Sequence, residues 1–183
     1  MRGVIMNPAI LAIATAALTS ANGEQLSGPA LPGFVAGYEA ADPRHDMAIR
    51  EQVPQGQTVE QWSRMVTTQR FGGLALRIEA LAFAQTLGAS MAANCPGARE
   101  TRPSPATVSG HPAVRLEVAC PRVPSTGQPE TMLMLAIAGD SDLHVKQVAF
   151  RGGATAGDLA WGRRYLAGVT LCRPSPAAPT CAN

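Results

Sequence analysis

Several absences bound what this chain can be. Lys146 is the only lysine among 15 basic residues, so catalytic lysine chemistry has a single candidate. The formal net charge is +2, which gives no strong field for nucleic acid or an anionic membrane surface. No P-loop, G-x-G-x-x-G, H-E-x-x-H, G-x-S-x-G or EF-hand loop occurs, and there is no N-x-S/T sequon. No internal repeat is visible. Beyond the amino terminus, no run is long and apolar enough for a membrane span.

What is present points to one exported domain. The chain has 183 residues, 46% hydrophobic and 15% charged, enough for a single core and too few for two large ones. Arg2 precedes an uncharged run from Pro8 to Leu18, too short to span a bilayer comfortably, and Thr19 to Ala21 offer small residues for cleavage. Residues 1–21 therefore read as a secretory signal peptide. No cysteine follows that run to carry a lipid anchor. Residues 22–32 read as a flexible leader, 33–172 as a single domain and 173–183 as a proline-rich tail.

The four cysteines agree with export, where an even count favours disulfides. Three pairings are possible. Cys95–Cys120 and Cys172–Cys181 are preferred because each closes a local loop, worth about 3 kcal/mol apiece by the chain-entropy argument. The spacings and the lack of neighbouring histidines argue against zinc at these cysteines.

Periodicity gives the elements. Gly33 to Ala40 and Met47 to Val53 are strand-like and joined by turn chemistry at "ADPRHD". Thr58 with Gln61 has the form of a capping box, and Val59, Trp62 and Val66 follow at helical spacing, which predicts a helix ended by Gly72-Gly73. A second helix is predicted over Leu76 to Ala93, mostly buried. Three strands follow, at Ala113 to Cys120, Thr131 to Ala138 and Leu143 to Phe150. The middle one is apolar on both faces, as a strand covered on both sides would be. In the third the apolar alternation slips by one, which predicts a β-bulge near Lys146-Gln147. A last helix starts at Thr155, with Asp158 completing a capping box and Gly168 as its C-cap. The order ββ-αα-βββ-α predicts an α+β domain with an antiparallel sheet of about five strands and helices packed on it.

Candidate chemistry has to be weighed cluster by cluster. His45, Asp46, Asp142 and His144 are suitable metal ligands, but no local spacing joins them, and they read as loop and strand-face residues. Ser109 precedes His111 by two residues, yet Gly110 and Pro112 make a turn the better reading than a nucleophile with its base. "GDSD" (139–142) reads as a hairpin turn rather than a cation site. Trp161, Arg163, Arg164 and Tyr165 put arginine between aromatics, a composition typical of binding surfaces. Trp62 reads as core, with a ligand-facing ring as the alternative, and Thr67, Thr68 and Gln69 are the candidate polar lining beside it. No cofactor is implied. The expected partner is an envelope protein, with a small-ligand module or a histidine-dependent hydrolase as alternatives.

The runs "GFVAGYEA", "REQVPQGQTVEQWSRMVTTQRF" and "HVKQVAFRG", with a cysteine after the last helix, resemble a loose group of exported proteins of Gram-negative bacteria that has no assigned activity. The element order also looks like the Mog1/PsbP-type α+β sandwich. Neither resemblance implies a catalytic residue.

Overall fold

The computed structural model describes residues 18, 19 and 21–173. The expected signal peptide lies almost wholly outside these residues, as do Cys181 and the tail beyond Arg173. In chain order the described elements are β1 (Gln25–Ser27), β2 (Phe34–Asp42), β3 (Met47–Pro54), β4 (Arg64–Phe71), α1 (Ala80–Asn94), β5 (Arg99–Glu100), β6 (Ser104–Val108), β7 (His111–Cys120), β8 (Glu130–Ala138), β9 (Leu143–Arg151), α2 (Ala156–Ala167) and β10 (Thr170–Cys172).

The architecture is mostly β and corrects the expected five-stranded α+β domain. Eight strands form one antiparallel sheet in the order β2-β3-β4-β9-β8-β7-β5, with β6 also paired to β7, and β1 pairs β10 in a second, two-stranded sheet. Two antiparallel meanders, β2-β3-β4 and β6-β7-β8-β9, are joined through the β4–β9 ladder.

The largest departure from the expected elements is at residues 58–71. The Gln61 amide does donate to Thr58 Oγ1 at 3.2 Å, but the same two residues also exchange backbone hydrogen bonds of 3.1 and 3.2 Å in a closed turn. Gln57 clamps Ser63 across that loop, accepting from its amide at 2.8 Å. The chain then enters β4, not a helix. Val66, Thr67 and Thr68 are β-branched and fit a pleated surface, and pairing to β3 on one side and β9 on the other overrides the helical spacing.

The predicted bulge in β9 is also absent. Its ladders to β4 and β8 run without a register shift from Leu143 to Phe150, and the irregularity in the sheet lies instead at Gly37 in β2. The slipped alternation arises because β9 is covered on both faces. Leu143 and Val145 belong to one core cluster, Val148 and Phe150 to the other, and the polar His144 and Lys146 are also buried.

Each sheet face carries one helix. Met132, Met134 and Ala136 of β8 face α1, while Leu133, Leu135 and Ile137 face α2, β10 and the segment around β1. This double coverage is what the apolar run in β8 predicted. α1 approaches through Ala80, Ala84 and Gly88, one turn apart on one stripe, and Phe83, Leu87 and Met91 are only half-buried. The Cys95–Cys120 disulfide, Cα–Cα 5.9 Å, ties the end of α1 to the end of β7 as expected. α2 has its capping box, with Thr155 and Asp158 bonded reciprocally. Gly162 lets α2 close on the sheet, since a Cβ there would lie 3.3 Å from both Leu133 and Phe150. No helix among the described residues is long and apolar enough to cross a membrane.

Candidate functional site

Ionisable side chains gather at one end of the sheet, where β7 begins, β8 ends and β9 begins. Ser109 and Gly110, both at positive φ, make the two-residue turn from β6 into β7 and deliver His111 to that end. Ser109 Oγ accepts from the Leu171 amide at 3.1 Å and so helps hold β10 in place. The β8–β9 turn closes with Gly139 N donating to Asp142 O at 3.0 Å. Asp140 is exposed on this turn, and Asp142 is buried beneath it.

Glu24, only 1% exposed, reaches this turn from the segment before β1. Its Oε2 accepts from the Asp140 amide at 3.1 Å and from Asn22 Nδ2 at 3.2 Å. It lies over Gly139, where a Cβ would come within 2.5 Å of Oε2. Arg173 pairs with Glu24 Oε1 at 3.3 Å and with Asp140. His111 sits between the carboxylates, Nε2 3.7 Å from Glu24 Oε1 and Nδ1 3.9 Å from Asp140 Oδ1. A recess of about 210 Å³ is lined by Glu24, His111, Asp140, Leu171, Cys172 and Arg173.

Behind this recess, Arg70 bridges Asp46 and Asp142. Burial opposes ionisation of Asp142, but the Gly73 amide, Arg70 and Ser141 outweigh it and hold its carboxyl below the ordinary range. His144 is pushed down to about 4 by burial; Asp142 and Glu24 work against that shift, and Arg70 and His111 add to it. It is neutral at physiological pH. Of the four potential ligands weighed together in the sequence, Asp46 and Asp142 are joined only through Arg70, and His144 is the cross-strand partner of Arg70; their ligand atoms do not gather as a metal-binding group among the described residues. His45 does not join them and pairs with Asp42 at 2.6 Å on an exposed turn.

A second, larger groove of about 640 Å³ opens beside the recess and shares His111, Gly139 and Asp140 with it. Its other walls are mostly apolar, with Ala80 and Leu81 from the first turn of α1, Pro105 and Ala106 from β6, Pro112 to Val114 from β7, and Ala138; Glu79, just before α1, is the one further charged residue in the lining.

No protein-family profile and no curated protein matches the chain. Among solved structures it is similar to LpqN, involved in cell envelope biogenesis of Mycobacterium tuberculosis, at 14% identity and TM-score 0.42, over 81% of this chain and 83% of that one. It is similar to the immunity protein TplEi of the T6SS from Pseudomonas aeruginosa, complexed with "L" peptide, at 12% identity and TM-score 0.46, over 97% and 66%. It is also similar to PA94, a protein of unknown function from P. aeruginosa, at 13% identity and TM-score 0.41, over 80% and 98%. Likenesses this distant transfer no activity, ligand or partner. They do not support the narrower Mog1/PsbP comparison.

The residues singled out in the sequence lie elsewhere. Trp62 is half-buried, with the Arg151 guanidinium 4.1 Å from its ring. Thr68 is buried in β4 and accepts from Lys146 Nζ at 2.6 Å. Trp161 stacks on Phe34 and Tyr165 at 6.2 and 5.6 Å, with Arg64 4.3 Å from its ring. Arg163 is exposed and forks onto Glu117 with two bonds of 2.7 Å, and Arg164 is exposed beside it. Cys172 is disulfide-bonded, while its expected partner Cys181 lies outside the described residues. Glu24 and Arg173 were missed because they fell in the stretches read as leader and tail.

Proposed function

We propose that this protein is an exported, non-catalytic binding domain of the cell envelope that receives a segment of another protein in the groove between α1 and the β6–β7 hairpin. The observation that carries this reading is the groove itself: about 640 Å³, walled mainly by alanine, proline, leucine and valine, with Glu79, His111 and Asp140 as its ionisable groups. Export is supported by the amino-terminal run, read as a signal peptide ahead of a single domain at 33–172, and by the Cys95–Cys120 disulfide, which suits an oxidising compartment.

The test is a photo-crosslinking residue at Leu81 in the groove wall, compared with one at the exposed Gln85, one turn further along α1. A discrete adduct is expected from position 81 in the envelope fraction, absent from 85 and lost when Ala106→Trp fills the groove. An adduct that ignores Ala106→Trp, or none at all, refutes the reading. A small-ligand module would use the same groove and would leave no protein adduct. The hydrolase alternative has the convergence of His111 with Glu24 and Asp140 in its favour. Against it, Arg173 pairs with both carboxylates.

A further inference from the structure

Glu79 occupies the position just before α1 and lines the groove between that helix and the β6–β7 hairpin. This is the N-cap position, yet the Glu79 side chain makes no cap bond. Serine, threonine, asparagine or aspartate there would bind an orphan amide of the first turn. Aspartate would also give the positive end of the helix the same negative charge. Glutamate gives up the cap bond, and what it adds is reach.

Nor does the fold use the carboxylate elsewhere. Among the described residues it has no hydrogen bond and no ion pair. Arg77, two residues earlier, turns its guanidinium to the carbonyls of Gly73 and Gly72 at 3.2 and 3.5 Å. The fifteen residues of α1 include no charged one. Asp140, across the groove, is paired with Arg173, and no lysine or arginine is in the lining. Glu79 is therefore an unmatched negative charge on a mostly apolar wall. A local preference broken with no gain to the fold is where a functional contact is expected.

We infer that the segment received in this groove is apolar and carries a lysine or arginine whose cationic head pairs with Glu79. The inference rests on the groove reading above and names the chemistry of its partner. The methylene stem of either side chain suits the alanine, leucine and proline walls, while its head meets the exposed carboxylate. An acidic segment would meet Glu79 and Asp140 as like charges. Pro105 of β6 has no N–H to donate, which makes that edge a poor template for an added strand. Side chains, more than a main-chain ladder, make the recognition.

The test presents full-length protein, disulfides intact, to a library of random peptides displayed on phage, in parallel with Glu79→Lys, Glu79→Gln and Ala106→Trp. Peptides that Ala106→Trp no longer binds are groove binders. They should be enriched in lysine or arginine among apolar residues. A synthetic copy should bind Glu79→Gln about three- to fivefold more weakly at low salt, as for an exposed ion pair. That difference should fade at high salt. Glu79→Lys should weaken binding roughly tenfold or more, and should itself select peptides with aspartate or glutamate. Circular dichroism checks that the variants are folded. Glu79→Ser supplies the cap that α1 lacks, so weaker binding by this variant cannot come from loss of the helix. Groove binders with no excess of basic residues, or with undiminished affinity for Glu79→Lys, overturn this inference and leave the groove reading standing. If no selected peptide is sensitive to Ala106→Trp, the groove reading fails and this inference with it.

Discussion

Lys146→Met offers a quantitative test of how the sheet is covered. Lys146 lies in the middle of β9, 7% exposed, with its ammonium bonded to Thr68 and 5.9 Å from the Tyr165 ring centroid. Burial, with a smaller contribution from the charge of Arg50, lowers it from 10.5 to about 8. Below pH 8 both folded and unfolded chains carry the proton, and the folded state bears the whole penalty. Between about 8 and 10.5 the unfolded chain keeps a proton that the folded chain has released, so stability rises with pH across that window. At 1.36 kcal/mol per pH unit, the penalty at neutral pH is about 3 kcal/mol, and about 2 kcal/mol of it is gone by pH 9.5. Methionine keeps the length of the side chain, removes the charge and forfeits one hydrogen bond worth about 1 kcal/mol. Urea unfolding at constant ionic strength, with disulfides intact, should find Lys146→Met more stable than the unsubstituted protein at pH 7 by about 1–2 kcal/mol. That margin should vanish or reverse by pH 9.5, before tyrosine titration becomes dominant. If the two proteins keep a constant difference between pH 7 and 9.5, Lys146 is not desolvated and the account of β9 as a doubly covered strand fails.

Three further outcomes are expected. Replacing Cys95 and Cys120 together by alanine should lower stability by about 3 kcal/mol, read from denaturant midpoints, because the bridge closes a 25-residue separation. Thr155→Ala should cost about 1 kcal/mol by breaking the α2 capping box, visible as a lower Tm with the rest of the fold unchanged. Gly162→Leu should cost about 1–3 kcal/mol or more in the same assay, since the new side chain has to displace Leu133 and Phe150.

The sequence was legible where a local signal and the tertiary environment agree. The strand at β8, the capping box of α2 and the Cys95–Cys120 pair are of this kind: two-sided burial, a T-x-x-D cap and a local cysteine loop each agree with what the tertiary structure requires. It misled where a local signal had two answers. Thr58 and Gln61 do form the bond expected of a cap, yet the residues after them belong to a strand, because β3 and β9 stand ready to pair on both sides. The apolar slip in β9 misled for a related reason. Reading a bulge there assumes that buried positions are apolar, and His144 and Lys146 are buried polar residues.

The candidate site was illegible for a different reason, since its members have no common spacing. Glu24 and Asp140 are 116 residues apart, and only topology joins them. Part of that topology could nevertheless have been inferred from the strands. In an antiparallel run of β7, β8 and β9, the start of β7 and the turn after β8 must lie at the same end of the sheet. That rule alone brings His111 to the "GDSD" turn and turns two residues dismissed separately into neighbours. Glu24 and Arg173 lie beyond its reach, because they depend on β1 pairing with β10, three residues each, which no periodicity of that length announces. The short ladder closes the recess by carrying the carboxylate and its counter-ion to the same place. Loss of the β1–β10 pairing should therefore disperse the cluster while leaving the eight-stranded sheet intact. Because the Leu171 amide is turned to Ser109 Oγ, the hydrogen-bonded pairs of this ladder flank Leu26, and a proline at Ser27, opposite Thr170, would remove a backbone donor and separate the two effects. His111 should then lose its neighbours, seen as a change in its imidazole NMR chemical shifts at fixed pH, while the protection of β8 amides from exchange persists. Simultaneous loss of β8 protection would mean that the small sheet is part of the core and not a clasp over the site.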